Sequence, residues 1–429
     1  MASIRQRSSF LLADCADRYL ALPKELNDSQ RSRRDAVVRA LVVLIGATTL
    51  LILFGVVMVF SATSARSIGS IMLQTQGSSL FSIAIRHTVW VAISIVACVM
   101  IAAMPYRWIE RLCYWALTLG VLLQVLVLFV GVSVNGNKNW LALSKSVQVQ
   151  PSEFLKVAMV VWLAHALARL TDAEVRSLHT IVIPAIGFIV ATGVVLAGQD
   201  LGTSLIYVLI GAGMFWCAGL KNSVIVSLGA LGAFGAAILV AAQPSRFRRV
   251  TDFFSSFIAL PDIEEPTQSE FAQFAFGSGG IAGVGLGAGK EKWRNLAEAH
   301  TDFIYAVIGE ELGLFGALTV VLLFVVLGWS YVQLAVNMNT RYGQLATVGV
   351  GLWICGQAFA NMCVVTGLLP VFGVPLPFLS QGGSSMLGVL MGTGVVIACA
   401  LGVPGVKEAF SLKNRIWLRS RAVVKGAKQ

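Results

Sequence analysis

Residues 41–62 read LVVLIGATTLLILFGVVMVFSA, and this stretch decides the fold. It contains no charged residue, and its 22 residues are long enough to cross the roughly 30 Å hydrocarbon core of a bilayer as one α-helix. Similar apolar stretches recur as far as Val403. We therefore expect an all-α polytopic membrane protein. The ten predicted transmembrane helices cover residues 41–62, 87–104, 112–134, 154–170, 180–198, 201–219, 223–242, 303–336, 344–366 and 383–403.

The composition of the whole chain supports this fold class. Of its 429 residues, 57% are hydrophobic and 12% are charged, whereas a soluble domain carries about 25% charged residues. No soluble domain of ordinary size interrupts the apolar stretches. We predict a transmembrane domain over 41–403, with a large extracytoplasmic loop at 243–302 between helices 7 and 8, and basic cytoplasmic tails at 1–40 and 404–429. The first tail lacks the apolar core of a signal peptide, so the first helix is expected to remain as an anchor.

The net charge of +11 fits membrane topology better than nucleic-acid binding. Its basic residues cluster at helix ends and in the tails, without the aromatic-rich basic patch of a nucleic-acid surface. Ten spans place both termini on one side, and the positive-inside rule makes that side the cytoplasm. The expected location is therefore a membrane, crossed several times with both termini in the cytoplasm, and no nucleic-acid partner is expected.

Ionisable residues near the outer ends of spans are default functional candidates because they are costly in a bilayer. Glu153 and Lys156, spaced i and i+3 on one helix face, form either a local ion pair or a polar wall of a substrate cavity. Asp200 lies between two spans and either caps the following helix or faces the same cavity. Arg246, Arg248 and Arg249 are basic residues on the outer side and suit either a diphosphate or anionic lipid headgroups.

The segment around the large loop contains two further patterns. Residues 283–290, GVGLGAGK, lack the strand and the Ser or Thr of a P-loop, so the glycines indicate tight turns or close backbone packing. His300, Asp302, Glu310 and Glu311 lack the spacing of a zinc helix and predict a hydrogen-bonded polar cluster beside the outer cavity. The loop's many aromatic residues predict partly helical structure on the membrane surface.

Residues 366–385 are interrupted by prolines and glycines, which forbid a continuous helix. Irregular backbone at membrane depth survives only where protein or a water-filled cavity satisfies its polar groups. A lined cavity is therefore expected on the outer side of this segment.

Three motifs in this order resemble the SEDS family (shape, elongation, division and sporulation). They are QPSE at 150–153 with Lys156, AHTDFIYAVIGEELG at 299–313 after a glycine-rich segment, and LLP through PLPF to GGSS within 368–385. The resemblance covers about residues 41–403 and is nearer to the division branch than to the elongation branch. It implies septal peptidoglycan synthesis by an inverting glycosyltransferase that polymerises lipid II beside a class B penicillin-binding transpeptidase and other divisome membrane proteins.

The resemblance also implies site residues. The catalytic aspartate is expected in the large loop shortly before Gln268, and Asp262 matches it best. Because Ile263 stands where the family usually has proline, Asp252, Glu264 and Glu265 remain alternatives for the general base. A divalent cation, Mg²⁺ or Mn²⁺, could assist the departing diphosphate. The candidate substrate-binding residues are Glu153, Lys156, Asp200, Arg246, Arg248, Arg249, Gln268, His300, Asp302, Glu311 and Ser384.

Two other functions fit the same sequence. Ten spans with intramembrane charges and broken helices also suit a flippase for lipid II, which would need no general base. A non-catalytic division scaffold would instead use the tails as contact surfaces.

Overall fold

A computed structural model describes residues 27–72, 82–134, 137–142, 144, 148–241, 243–255, 266–293, 296 and 298–410. Apart from three short strands, the described chain is mainly helical. The helices are α1 (Asp28–Met72), α2 (Ser82–Ala103), α3 (Tyr106–Val130), α4 (Pro151–Ala168), α5 (Asp172–Val175), α6 (Leu178–Ala197), α7 (Leu201–Ala218), α8 (Asn222–Ala241), α9 (Pro244–Ser255), α10 (Gln268–Gly279), α11 (Ile304–Asn337), α12 (Arg341–Val365), α13 (Gly383–Leu401) and α14 (Val406–Phe410).

Nine helices in the described part of the chain are long and apolar enough to cross a membrane. They are α1, α2, α3, α4, α6, α7, α11, α12 and α13. The remaining predicted span corresponds to α8, whose apolar stretch Asn222–Ile238 is shorter. The predicted all-α polytopic fold is confirmed, and the chain is a multi-pass membrane protein.

Several element boundaries differ from the sequence prediction. Helix α1 begins at Asp28 instead of residue 41, because the charged segment before the apolar stretch continues the same helix. Two helices, α9 and α10, lie within 243–302, so the predicted partly helical character of the large loop is confirmed. Helix α11 breaks at Gly313, whose φ of 66° and ψ of −161° are not helical. The break separates a short first segment from the long span, as the length of this stretch suggested.

A small antiparallel sheet between α3 and α4 was not predicted. Strands β1 (Val132–Val134), β2 (Asn137–Ala142) and β3 (Gln148–Val149) pair in the order β1-β2-β3. The Lys138 Nζ donates to the carbonyl oxygen of Leu128 at 2.7 Å, which satisfies a free carbonyl at the end of α3. The sheet therefore fixes the connection that carries Asn139 and Trp140.

The helices pack around α4, most of whose side chains are buried. The most closely packed neighbouring pairs are α2 with α13, α1 with α11, and α3 with α4. Glycines let the irregular segment 366–382 approach this bundle. A Cβ at Gly55 of α1 would lie 2.5 Å from the Phe378 carbonyl oxygen, and one at Gly202 of α7 would lie 2.1 Å from that of Phe372. The segment is thus held against both helices at one end of the bundle.

Candidate active site

A cavity of about 520 Å³ lies at the end of the bundle where α4, α7 and α13 begin. Its walls come from the β2 strand, the segment before α11, the irregular segment 366–382 and these three helix starts. Irregular backbone here borders a cavity, as predicted. The lining residues are Asn139, Trp140, Gln150, Asp200, Gln268, Glu298, Thr301, Asp302, Val371, Phe372, Gly373, Pro375, Gln381, Gly382, Ser384 and Ser385.

Asp200 fulfils both of the roles that the sequence left open. One carboxylate oxygen accepts a hydrogen bond from the Thr203 backbone N–H at 3.0 Å and so caps α7. The other accepts from the Gln150 side-chain amide at 2.9 Å. Burial raises the pKa of Asp200, and the hydrogen bonds from Thr203 and the charge of Lys156 oppose that rise. The cap therefore holds a nearly buried carboxyl group at the cavity wall.

Glu153 and Lys156 form a buried ion pair behind the cavity. The Lys156 Nζ lies 2.9 Å from Glu153 Oε1, and each side chain is 2% exposed. Lys156 also donates to Gln357 Oε1 at 3.2 Å and lies 4.9 Å from the centroid of the Trp353 ring. Neither charged residue lines the cavity. Lys156 therefore lies within the supporting structure behind the cavity wall.

A hydrogen-bond chain connects this ion pair to the cavity. Gln357 accepts from Lys156 and from the Trp353 indole N–H, and its amide donates to the Pro375 carbonyl oxygen at 2.7 Å. Pro375 lines the cavity. The α4 ion pair thus positions the irregular segment that closes one side of the site.

The described cavity wall is acidic. Asp200, Glu298 and Asp302 line it, and no Lys or Arg belongs to the described lining. Within the described ranges, no three His, Cys, Asp or Glu residues are grouped closely enough to hold a metal ion. A cation at this wall would consequently need oxygen ligands from the substrate as well as from the protein.

Four of the predicted binding residues share the cavity: Asp200, Gln268, Asp302 and Ser384. Arg248 does not line it; its side chain is 82% exposed and lies 3.8 Å from the Asp252 carboxylate within α9. The side chains of Arg246 and Arg249, and the whole of Asp262, Glu264 and Glu265, lie outside the described residues. Asp252 lines a neighbouring pocket of about 190 Å³ that also includes Gln268.

Glu311 and Glu310 belong to a separate polar cluster that does not line the cavity. Glu311 is fully buried against Lys292 at 2.5 Å and accepts from the Ser61 hydroxyl at 2.7 Å. Glu310 accepts from the Lys290 backbone N–H at 2.6 Å. These contacts connect α1 and the glycine-rich segment to the first part of α11. Glu311 thus contributes to the support of the loop, whereas predicted His300 offers its backbone carbonyl to Gln381 at 2.9 Å.

Sequence reasoning missed Gln357, Trp353 and Lys292. Each is a buried or bonded partner of a charged residue that the sequence singled out, but each lies far along the chain or in another helix. A polar Gln in the middle of the apolar span α12 was the one available signal for Gln357. Thr301, Glu298 and Gln381 were also missed, although Thr301 lies within a motif that the sequence singled out and the other two lie next to one.

Comparison with known proteins identifies the family. The sequence profile of the FtsW/RodA/SpoVE cell cycle proteins matches residues 41–401. The chain belongs to this family. The resemblance predicted from its motifs is confirmed. Among family relatives, stage V sporulation protein E of Bacillus subtilis is 35% identical over 360 residues, which cover 82% of this chain and 94% of that protein.

A second relative is named for an activity. The probable peptidoglycan glycosyltransferase FtsW of Mycobacterium tuberculosis is 34% identical over 365 residues, covering 83% of this chain and 67% of the relative.

Solved structures of the family share the fold. A chain of a peptidoglycan synthase complex aligns with a TM-score of 0.66 and 22% identity over 84% of this chain and 98% of that one. The rod shape determining protein RodA of Thermus thermophilus aligns with a TM-score of 0.61 and 23% identity over 83% and 95% of the two chains. The arrangement of spans described above is therefore that of the family.

Proposed function

We propose that this family member is a peptidoglycan glycosyltransferase that polymerises lipid II at the septum, on the outer face of a bacterial inner membrane. The observation that carries the proposal is a polar cavity at one end of the spans in a chain of the FtsW/RodA/SpoVE family. The name of the FtsW relative supports the reaction class. The positive-inside rule supports an outward-facing cavity and cytoplasmic termini.

In this proposal the cavity wall binds sugar and the large loop supplies the base. Carboxylates, amides and hydroxyls suit sugar hydroxyls, and Asp200, Asp302, Gln268 and Ser384 offer all three. Asp262, seven residues after the last residue of α9 and six before Gln268, is close enough along the chain to work beside them. Arg246, Arg248 and Arg249 are assigned to the departing diphosphate.

The reaction is a single displacement. The Asp262 carboxylate takes the proton of the attacking sugar hydroxyl, whose oxygen bonds to the anomeric carbon as the bond to the prenyl diphosphate breaks. One displacement inverts the anomeric configuration. The donor is already activated, so no nucleotide is consumed.

A divalent cation and protein partners belong to the same proposal. Mg²⁺ or Mn²⁺ would take oxygen ligands from the diphosphate and from Asp200 or Asp302, and would offset the negative charge of the leaving group. A class B penicillin-binding transpeptidase would crosslink the product, and other divisome proteins would recruit the pair. A family fold also found in a peptidoglycan synthase complex supports such an assembly.

Polymerisation of purified lipid II, with the transpeptidase partner present, tests this function. Asp262→Asn should lower the rate at least about a hundredfold, because it removes a general base while keeping shape and volume. Asp252→Asn, Glu264→Gln and Glu265→Gln are matched changes in the same region and should retain activity. Glycan chains are quantified on gels, and thermal unfolding of each variant checks its fold.

Two results would contradict the proposal. Wild-type protein that makes no glycan with its partner would remove the polymerase activity and favour a flippase or a scaffold. Full polymerisation by folded Asp262→Asn would remove this residue as the base, and a large loss in one of the three comparison variants would assign the role there.

A further inference from the structure

A second large cavity lies at the opposite end of the bundle. It encloses about 580 Å³ where α3 and α12 begin and α4 ends. The proposed active site lies where α4 begins and this cavity lies where α4 ends, so the full length of α4 separates the two. Its lining residues are Tyr106, Arg107, Glu110, Arg111, Tyr114, His165, Ala168, Arg169, Thr340, Arg341 and Tyr342.

The charge of this cavity is strongly positive. Four arginines line it against one carboxylate, Glu110. Arg341 pairs with Asp172 at 3.0 Å, outside the lining. Over the ranges that the structure covers, Arg107, Arg111 and Arg169 make no ion pair. The positive-inside rule accounts for arginines at this end of the spans, but not for their convergence on one cavity.

Buried polar groups in the wall lack partners. His165 is 4% exposed; its Nδ1 lies 3.0 Å from Glu110 Oε1, and its Nε2 has no hydrogen-bond partner in the described structure. The same holds for the Tyr342 hydroxyl, in a side chain that is also 4% exposed. Unsatisfied buried polar atoms are costly, so a ligand that reaches them would be stabilised.

One edge of the cavity adjoins exposed aromatic residues of α3. Tyr114 lines the cavity and is 51% exposed, and Trp115 beside it is 75% exposed. About two turns earlier, Trp108 is 54% exposed, and the Arg111 guanidinium lies 5.8 Å from the centroid of its ring. Tryptophan and tyrosine of this kind mark the level of lipid headgroups. The cavity thus opens near headgroup level.

We propose that this cavity binds a phosphate ester, supplied by the headgroup of an anionic phospholipid in the inner leaflet. Guanidinium groups of Arg107, Arg111 and Arg169 would hold the phosphate oxygens, and the aromatic residues of α3 would contact the glycerol and upper acyl chain. The His165 and Tyr342 side chains would supply further hydrogen-bonding groups. The site is independent of the proposed reaction, because none of its residues lines the active-site cavity.

Thermal unfolding of the purified full chain in detergent tests this site. The protein is titrated with short-chain phosphatidylglycerol, with phosphatidylcholine of equal chain length, and with inorganic phosphate, all at constant ionic strength. The test variant is Arg111→Gln with Arg169→Gln. Its matched control is Arg39→Gln with Arg176→Gln, which removes two exposed charges from the same end but outside the cavity.

Phosphatidylglycerol should raise the unfolding temperature of wild type and control at concentrations where phosphatidylcholine has little effect. Each lost guanidinium should weaken the apparent affinity about tenfold. Equal responses to both lipids, or a test variant that responds like the control, would overturn the proposal. A response to inorganic phosphate at concentrations as low as those of the lipid would keep the anion site and assign it to a soluble phosphate.

Native mass spectrometry of the wild type gives a result that does not depend on variant folding. Protein from mixed micelles should retain phosphatidylglycerol in preference to phosphatidylcholine, and Arg111→Gln alone should reduce the retained fraction. Equal retention of both lipids by the wild type would contradict the site even if the double variant fails to fold.

Discussion

At the residue scale, Lys156 is a buried charge that depends on several partners from different parts of the chain. A fully buried ammonium is tolerated only with close partners, and here Glu153, Gln357 and the Trp353 ring supply them. The pair spans one helical turn, so its i, i+3 spacing could be predicted from sequence. Gln357 could not, because 201 residues separate it from Lys156 and no local pattern records that contact.

Lys156→Met should destabilise the protein by roughly 3–5 kcal/mol, because it leaves the Glu153 carboxylate buried without its cation. The double variant Lys156→Met with Glu153→Leu should recover much of that loss, since no charge then remains buried. Thermal or denaturant unfolding in detergent measures both. Equal destabilisation by the single and double variants would contradict this explanation, because removing the unpaired Glu153 carboxylate would then restore no stability.

The same scale explains why some predicted site residues came together and others did not. Asp200 and Asp302 were identified from their position at span ends, and both line the cavity. Glu311 carries the same signal but is fully buried against Lys292. The sequence shows that a carboxylate is near the end of a span, whereas tertiary packing decides which side of the helix it occupies.

At the scale of elements, the glycine-rich segment 283–290 is joined to α11 by backbone hydrogen bonds. The Val284 and Gly285 N–H groups donate to the carbonyl oxygens of Glu310 and Glu311, each at 3.0 Å. These are the carbonyls released by the break at Gly313. The prediction of tight turns or close backbone packing is confirmed, because Gly283 and Gly285 have φ of 80° and 104°, and a Cβ at Gly283 would lie 2.2 Å from the Glu311 carbonyl oxygen.

Alanine substitutions at two glycines of this segment would distinguish the cost of backbone strain from the cost of a steric clash. Gly287→Ala should cost about 1–2 kcal/mol, since its φ is 81° but open space surrounds it. Gly283 has nearly the same φ as Gly287, but a Cβ at this position would lie 2.2 Å from the Glu311 carbonyl oxygen. Gly283→Ala should therefore destabilise the protein by about 1–3 kcal/mol more than Gly287→Ala. Unfolding midpoints of the two variants give the comparison. Similar losses at both positions would contradict the close packing on α11.

The small sheet formed by β1, β2 and β3 was not predicted from the sequence. Its strands are two to six residues long, and they lie next to a long apolar helix whose pattern dominates the segment. The hydrogen bond from Lys138 N–H to the Gly198 carbonyl, 3.2 Å, depends on a turn sixty residues away. Short strands held by such contacts leave little periodicity in the sequence.

At the scale of the whole molecule, hydrophobic length alone predicted the order of the spans and nine of the ten predicted spans as long apolar helices in the described residues, because every crossing helix must match the thickness of the bilayer. Because successive spans run in opposite directions, the polar residues at their ends lie at the two ends of the helical bundle. The acidic cavity at one end and the arginine-lined cavity at the other required the packed structure, since their walls combine segments that are distant in the chain.

If lipid-linked sugar occupies the acidic cavity, a bulky side chain that fills this cavity should block polymerisation. Thr301 lines the cavity, whereas Thr366 is exposed at the same end and does not. Polymerisation of lipid II is measured for Thr301→Trp and Thr366→Trp, with unfolding temperatures confirming that both fold. Thr301→Trp should lower the rate at least about tenfold, whereas Thr366→Trp should keep near wild-type activity. Wild-type activity in a folded Thr301→Trp variant would contradict the binding of lipid-linked sugar in this cavity.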